Sequence, residues 1–266
     1  MYSLPRRPAG IGQVLDAAVL LFKYSFKATL LFAVVAGVLD LVPNIVMLAT
    51  QSEEAVAASI RSPYASRSLT DWAVFFGCSL LSIMFYGAAM ARAESIARGA
   101  RIGIGAAFAF GLRRSLSMVL ATLCYFLACG IGVLLLIVPG VILMVSLVVY
   151  LPAIVVDGRN FGEALSYSHT LVWGNWWRTS AILTVGFVFV YLLLGIIEVG
   201  LALLGQFLGF DLTTQLLVQF ISASIFTVFT VPFVNALWLE IYRDLKLRTE
   251  GGDLEQRLAA LRPQPV

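Results

Sequence analysis

Residues 150–177 read YLPAIVVDGRNFGEALSYSHTLVWGNWW and join two long apolar blocks. From Phe161 onward, apolar residues recur at the 3.6-residue spacing of a helix, while Glu163 and Thr170 fall on other sides. This pattern predicts a short amphipathic helix on a surface. Because the flanking blocks are too long and too apolar for a soluble core, we expect that surface to be a membrane interface. Tryptophans stand where aromatic rings anchor at such an interface, namely Trp173, Trp176 and Trp177.

The composition of the whole chain indicates the same class. Of its 266 residues, 60% are apolar and 12% are charged, against about 45–50% and about 25% in ordinary soluble domains. We therefore expect an all-α integral membrane protein. The net charge of +3 is small, and nearly all of the charged residues lie between the apolar blocks, which argues against a nucleic-acid partner.

Apolar blocks long enough to cross a bilayer occur six times. The predicted spans are about 28–49, 72–90, 116–137, 141–156, 180–204 and 216–239. Short amphipathic interfacial helices are predicted over about 11–26, 102–114 and 160–175. Each of them precedes two spans, so the six transmembrane helices are expected to form three helical hairpins.

The connections between the blocks add further expectations. Pro139-Gly140 is expected to make the tight turn between the third and fourth spans. Residues 50–71 are polar and predict an exposed loop, with a short helix over 52–60. The sixth span is expected to continue as a helix into a polar tail. Residues 1–250 would then form a single membrane domain, and residues 251–266 a cytoplasmic tail.

A short internal repeat accompanies the three interfacial helices. The segments 11–15, 104–108 and 161–165 share the order apolar, Gly, any residue, apolar, apolar. The pattern favours three copies of one unit, each unable to bury its polar backbone turns alone. Coincidence remains the alternative, because a glycine near the start of a helix is common.

The distribution of positive charge predicts the orientation. All but Arg61 and Arg67 of the 18 lysines and arginines lie in segments on the side of the N-terminus. By the positive-inside rule, both termini are expected to be cytoplasmic, in a bacterial or archaeal cytoplasmic membrane.

A few polar side chains lie inside or at the ends of the predicted spans. They are Asp40, Glu198, Gln219, Asn235 and Glu240. Ionisable groups at membrane depth are costly, so they usually face a bundle interior or a water-filled cavity. Two interpretations stay open for each residue. It caps or pairs with another part of the protein, or it helps to bind or move something.

Basic residues stand where the predicted interfacial helices meet their spans. They are Lys23, Lys27, Arg113, Arg114 and Arg178. Cations at that level attract anionic headgroups by about 1 kcal/mol each, so membrane lipid is an expected partner. The simpler alternative is that these residues only fix the topology.

The sequence predicts no catalytic residue, metal site or cofactor. The single histidine, His169, lies between Ser168 and Thr170 without an ordered nucleophile and orienting group. A Gly-rich phosphate loop is missing. The carboxylates outside the spans, such as Asp157 and Asp244, are scattered among basic groups as on a solvated face. The cysteines are expected to be small buried hydrophobes.

Several segments resemble a family of bacterial and archaeal six-span proteins. They are Leu151-Pro152-Ala153 through Asp157-Gly158, Ala164-Leu165, Ser168, Leu171, Gly174, Trp176-Trp177-Arg178, Pro232 and Tyr242-Arg243-Asp244-Leu245 to Arg248. The family is related to the membrane domain of glycerophosphoryl diester phosphodiesterases and to YciC-like and other uncharacterised membrane proteins. The resemblance implies an all-helical membrane module. The chain lacks the histidine and carboxylate set of the phosphodiesterase, so that activity is not implied.

Two functional classes remain open. The first is a non-catalytic membrane module that organises lipid or scaffolds a partner, either another membrane protein or a second copy of the chain. The second is a transporter or channel for a lipid-like or small solute, with a path lined by the intramembrane polar residues. The first is favoured, because those polar residues are few and do not occupy matching positions in the three units. An intramembrane enzyme is the least favoured class.

Overall fold

The computed structural model describes residues 2, 4–5, 7–52 and 68–261, with side chains described as far as residue 251. All regular structure in these residues is helical. The helices are α1 (Ile11–Thr50), α2 (Leu69–Ala97), α3 (Ile104–Leu135), α4 (Ile137–Ser146), α5 (Tyr150–Asp157), α6 (Phe161–Trp173), α7 (Trp176–Phe207) and α8 (Leu212–Leu261). Six stretches are long and apolar enough to span a membrane, with α4 and α5 together forming one of them. The expected all-α class with six apolar spans is confirmed.

Two of the three predicted interfacial helices are not separate elements. Residues 11–26 are the first turns of α1, and residues 104–114 are the first turns of α3, and both helices continue without a break. Neither boundary carries a proline or a cap, and extending a helix is easier than starting a new one. The third predicted helix does exist as α6, which ends at Gly174 before α7 begins.

The turn between the third and fourth spans lies at Leu136, so its prediction at Pro139-Gly140 was wrong. Leu136 has an extended backbone (φ −163°, ψ 144°) and serves as the N-cap of α4. Pro139 lies in the first turn of α4, where its missing N–H would have no intrahelical partner in any case. A Cβ on Gly140 would lie 2.7 Å from the backbone nitrogen of Val133. The glycine therefore permits close approach of α4 to α3.

The fourth predicted span is interrupted at residues 147–149, between α4 and α5. The buried hydroxyl of Ser168 on α6 bonds the backbone groups on either side of this break. It accepts a hydrogen bond from the Val149 amide at 3.2 Å and donates one to the Ser146 carbonyl at 3.0 Å. The α5 helix then ends at Gly158, whose left-handed conformation (φ 68°) favours glycine. Arg114 of α3 donates to the Gly158 carbonyl at 2.8 Å. The stretch 150–177 thereby fixes how α3 to α7 meet.

Long helices α1, α2 and α8 form the centre of the bundle. Consecutive helices contact one another, but α1 also packs along α8, so three independent hairpins are not confirmed. Gly37 of α1 lies so close to α8 that a Cβ there would be 2.8 Å from the Ser224 carbonyl oxygen. The N-terminal lead contacts the second half of α8. We call the end of the bundle that contains this contact the basal end, and the end at Thr50 and Phe207 the distal end.

Two further expectations concern the loop and the tail. The predicted helix over 52–60 falls, except for Ser52, outside the described residues. The α8 helix extends from Leu212 to Leu261, which agrees with the prediction that the sixth span continues into the polar tail.

The close crossing of α1 and α8 leads to a test with a matched control. Gly37→Ala is expected to destabilise the protein by about 1–3 kcal/mol, because the new methyl group would meet a backbone carbonyl. Gly195→Ala in α7 has nothing within 4 Å of the added Cβ, so helix propensity leaves it neutral or slightly stabilised, by about 1 kcal/mol at most. Thermal unfolding in detergent measures both variants. Equal melting temperatures would contradict the crossing.

Candidate functional site

Buried charges gather at the basal end around Arg243 of α8. Its guanidinium bonds the carboxylates of Glu94 on α2 and Glu240 on α8, and it donates to the hydroxyl of Tyr2 at 2.6 Å. Tyr2 in turn donates to Glu240. The side chains of Arg243, Glu94 and Glu240 are only 10%, 9% and 2% exposed. Arg98, which is more exposed, supplies a second cation to Glu94 at 2.6 Å. We call these five residues the Arg243 network.

Asp244, the next residue of α8, holds a second group of contacts. Its carboxylate accepts from the backbone N–H of Ala9 at 2.8 Å, from Arg178 Nε at 3.1 Å and from Arg248 Nε at 3.0 Å. The same two arginines donate to the carbonyl oxygen of Ala9. This Asp244 network therefore ties the N-terminal lead, the start of α7 and α8 together.

The third group surrounds Asp157, at the end of α5. Lys246 donates to both carboxylate oxygens at 2.9 and 2.8 Å, and the Tyr242 hydroxyl donates at 2.7 Å. Arg159 stacks over the ring of Tyr167 on α6, with its guanidinium carbon 3.5 Å from the ring centroid. This Asp157 network links α5 and α6 to α8.

Two tyrosines of these groups lie outside the membrane-spanning segments and act as fixed donors. Burial raises the pKa of Tyr2, and the neighbouring Glu240 carboxylate adds to that effect. Burial also raises the pKa of Tyr167, whose hydroxyl donates to Glu250 at 2.7 Å. Both phenols therefore stay protonated at neutral pH.

The spacing of residues along α8 explains why one helix can serve all three networks. Arg243 and Asp244 follow Glu240 by three and four residues, so the three side chains lie on adjoining faces and can point at different neighbours. The burial of Asp244, at 4% exposed, corrects the expectation that it belongs to a solvated face. The spacing of charged residues at i, i+3 and i+4 from 240 to 248 could have indicated such a cluster from the sequence. No sequence pattern indicated the partners Glu94 and Ala9, because both lie far away along the chain.

Asp40 and Asn235 lie in the middle of the bundle, where they approach the same residue. Asp40 accepts from the Tyr86 hydroxyl at 3.3 Å, and the Asn235 amide donates to the Tyr86 carbonyl at 3.3 Å. Tyr86 of α2 therefore connects α1 with α8. Of the five intramembrane candidates, Glu240 is the one that belongs to the Arg243 network.

Glu198 and Gln219 line a groove between α7 and α8 toward the distal end. The groove has a volume of about 390 Å³, and its other walls are Val199, Ala202, Phe220 and Ala223. Ser222 donates to Glu198 Oε1 at 2.7 Å. A second depression, of about 430 Å³, lies on α6 at the basal end and is lined by Arg159, Gly162, Glu163, Ser166, Tyr167 and Thr170.

The headgroup candidates separate into two sets. Lys23, Lys27 and Arg113 are exposed. Arg114 and Arg178 instead donate to acceptors within the protein, namely Gly158 and Asp244. The first set is therefore better placed to meet lipid.

The three tryptophans also differ from one another. Trp177 is 82% exposed and Trp173 is 60% exposed, as an interfacial anchor requires. Trp176 is half-buried and donates to the Ile142 carbonyl at 3.2 Å, so it connects α7 with α4. His169 is exposed and packs against Trp173, with ring centroids 5.0 Å apart.

A comparison with known families gives one match, to a model described as a domain of unknown function (DUF7847), over residues 10–245. The chain belongs to this family. No curated protein and no solved structure matched it. Membership of an uncharacterised family is therefore shown, whereas no comparison supports the resemblance to the phosphodiesterase membrane domain or to YciC-like proteins.

In this member of the DUF7847 family, no three His, Cys, Asp or Glu side chains of the described residues come together as a metal site would require. The three cysteines are free, and only Cys129 is fully buried, so the expectation of burial holds for one of them.

The Arg243 network leads to a stability prediction. Arg243→Met would leave Glu94 and Glu240 buried without their shared cation, at a cost of about 3–5 kcal/mol. Arg113→Met, on the exposed surface of α3, is the control and is expected to unfold like the wild type. Replacing both carboxylates by glutamine in the Arg243→Met background should recover most of the loss. Chemical or thermal unfolding in detergent measures all three. An Arg243→Met variant as stable as the wild type would contradict the network.

Proposed function

We propose that the chain is a non-catalytic membrane module that organises lipid or holds a membrane partner at the cytoplasmic membrane. The observation that carries the proposal is the mutual pairing of the basal charges. Arg243, Asp244 and Asp157 each bond residues of other chain segments, so they act as structural ties. Groups engaged in this way are poorly available to a substrate.

The exposed residues at the basal end, around the three charge networks, form the proposed contact surface. Lys23 and Lys27 on α1 and Arg113 on α3 are free to approach phosphate groups, each worth about 1 kcal/mol near an anionic surface. Trp173 and Trp177 lie exposed on either side of the junction between α6 and α7. The charge networks at the basal end keep these side chains at fixed positions relative to one another.

One observation favours the second candidate, a transporter for a lipid-like or small solute. The groove at Glu198 and Gln219 and the contact between Asp40 and Tyr86 are polar features at membrane depth. Pro43 and Pro232 lie inside α1 and α8 and each remove one backbone hydrogen bond there. Both helices are continuous here, but prolines at membrane depth are also found where the helices of transporters are interrupted around a solute site.

Purification from native membranes in a mild detergent, followed by mass spectrometry of retained proteins and lipids, tests the proposal. A reproducible protein partner or a selectively retained lipid supports the module. Loss of that lipid in the combined variant Lys23→Ser, Lys27→Ser and Arg113→Ser would identify the basal surface. An isolated chain that retains neither, yet moves a solute into proteoliposomes, would favour the transporter and contradict the module.

We also propose that both termini face the cytoplasm, because the basal end carries the exposed cations and the N-terminal lead. A phosphatase reporter and a fluorescent reporter fused after Val266 measure this directly. We expect fluorescence without phosphatase activity. The opposite pattern would require the bundle to be inverted.

A further inference from the structure

The groove between α7 and α8 contains polar groups that lack partners. The Ser222 hydroxyl donates to Oε1 of Glu198, while Oε2 accepts no hydrogen bond from the described residues. The Gln219 side-chain amide likewise makes none with them. The other four groove residues are apolar. A carboxylate oxygen and an amide thus face a mostly apolar groove of about 390 Å³, a volume within the range of small-ligand sites.

The position of Glu198 along α7 determines its depth. It follows Arg178 by twenty residues, which is about 30 Å at the rise of an α-helix. The hydrocarbon layer of a bilayer is also about 30 Å thick. If the near boundary lies at Trp177 and Arg178, Glu198 lies close to the far boundary, where lipid headgroups begin. Headgroups are therefore within reach of the unpaired groups of the groove, so a headgroup is a suitable partner.

The charge of the groove selects among headgroups. No lysine or arginine occurs in residues 179–242, which include both walls of the groove. The Glu198 carboxylate therefore has no cation on either wall of the groove. An anionic headgroup would be repelled. A quaternary ammonium carries the correct charge but has no N–H to donate, whereas a primary ammonium supplies both charge and donors.

We propose that this groove binds a phospholipid with a primary ammonium headgroup, as in phosphatidylethanolamine, in the leaflet at the distal end. The ammonium donates to Glu198 Oε2, and the Gln219 amide donates to the phosphate. Val199 and Phe220 pack beside the acyl chains. The inference rests on the lipid-binding form of the proposed function and names the lipid class.

The test uses the full chain in nanodiscs made from equal parts of phosphatidylethanolamine, phosphatidylglycerol and phosphatidylcholine. Native mass spectrometry counts the lipids retained after the disc is removed. Glu198→Gln keeps the size of the side chain and the bond from Ser222 but removes the charge. Ala202→Leu fills the groove without changing any charge. Asp16→Asn, on the exposed surface of α1, is the control for loss of a carboxylate. Melting temperatures confirm that each variant is folded.

We expect phosphatidylethanolamine to be enriched over both other lipids in the wild type and in Asp16→Asn. Removing a charge-assisted hydrogen bond costs about 1.5–3 kcal/mol, so Glu198→Gln should weaken retention by about tenfold or more. Ala202→Leu should reduce it as well. Equal retention in Glu198→Gln, or equal enrichment of phosphatidylcholine, would overturn the inference. Retention of phosphatidylglycerol through Lys23, Lys27 and Arg113 without any enrichment of phosphatidylethanolamine would overturn the inference while leaving the proposed function intact.

Discussion

The pairing of Arg243 with Glu94 is the interaction on which the basal half of the bundle depends. It joins α8 to α2 and, through Tyr2 and Glu240, holds the N-terminal lead in place. A buried ion pair adds little net stability compared with well-packed apolar residues, but removing one partner is very costly. Its effect is therefore to specify one arrangement of the helices. Asp244 connects α8 to α7 in the same way, and Asp157 connects α8 to α5 and α6.

Away from this base, the helices associate by different means. Lipid tails are as apolar as leucine, so burial of apolar surface drives helix packing weakly inside a bilayer. Close backbone contact takes its place, as where Gly37 meets the Ser224 carbonyl. The distal part of α7 has few such contacts, and its apolar side chains, such as Leu192 and Leu203, stay exposed. The proposed lipid-organising function rests on this combination of a basal end held by ion pairs and an open distal groove.

Hydropathy is a local property, so the sequence predicted the all-α class and six apolar spans correctly. Helix boundaries depend on caps and breaks. The sequence therefore misplaced the turn at Leu136, and it separated interfacial helices that α1 and α3 contain as their first turns. The break before α5 is stabilised by Ser168, a contact that no local pattern announces. Asp244 looked solvated for the same reason, because its partner Ala9 is distant in sequence.

A charge-swap cycle measures directly whether Arg243 and Glu94 attract each other across the α2–α8 interface. The unfolding free energy in detergent would be measured for Glu94→Arg, Arg243→Glu and the double exchange, with Glu240→Gln present throughout to remove the second carboxylate. We expect each single exchange to be strongly destabilising and the double exchange to recover a substantial part of the loss. Losses that simply add in the double exchange would show that the two residues do not interact.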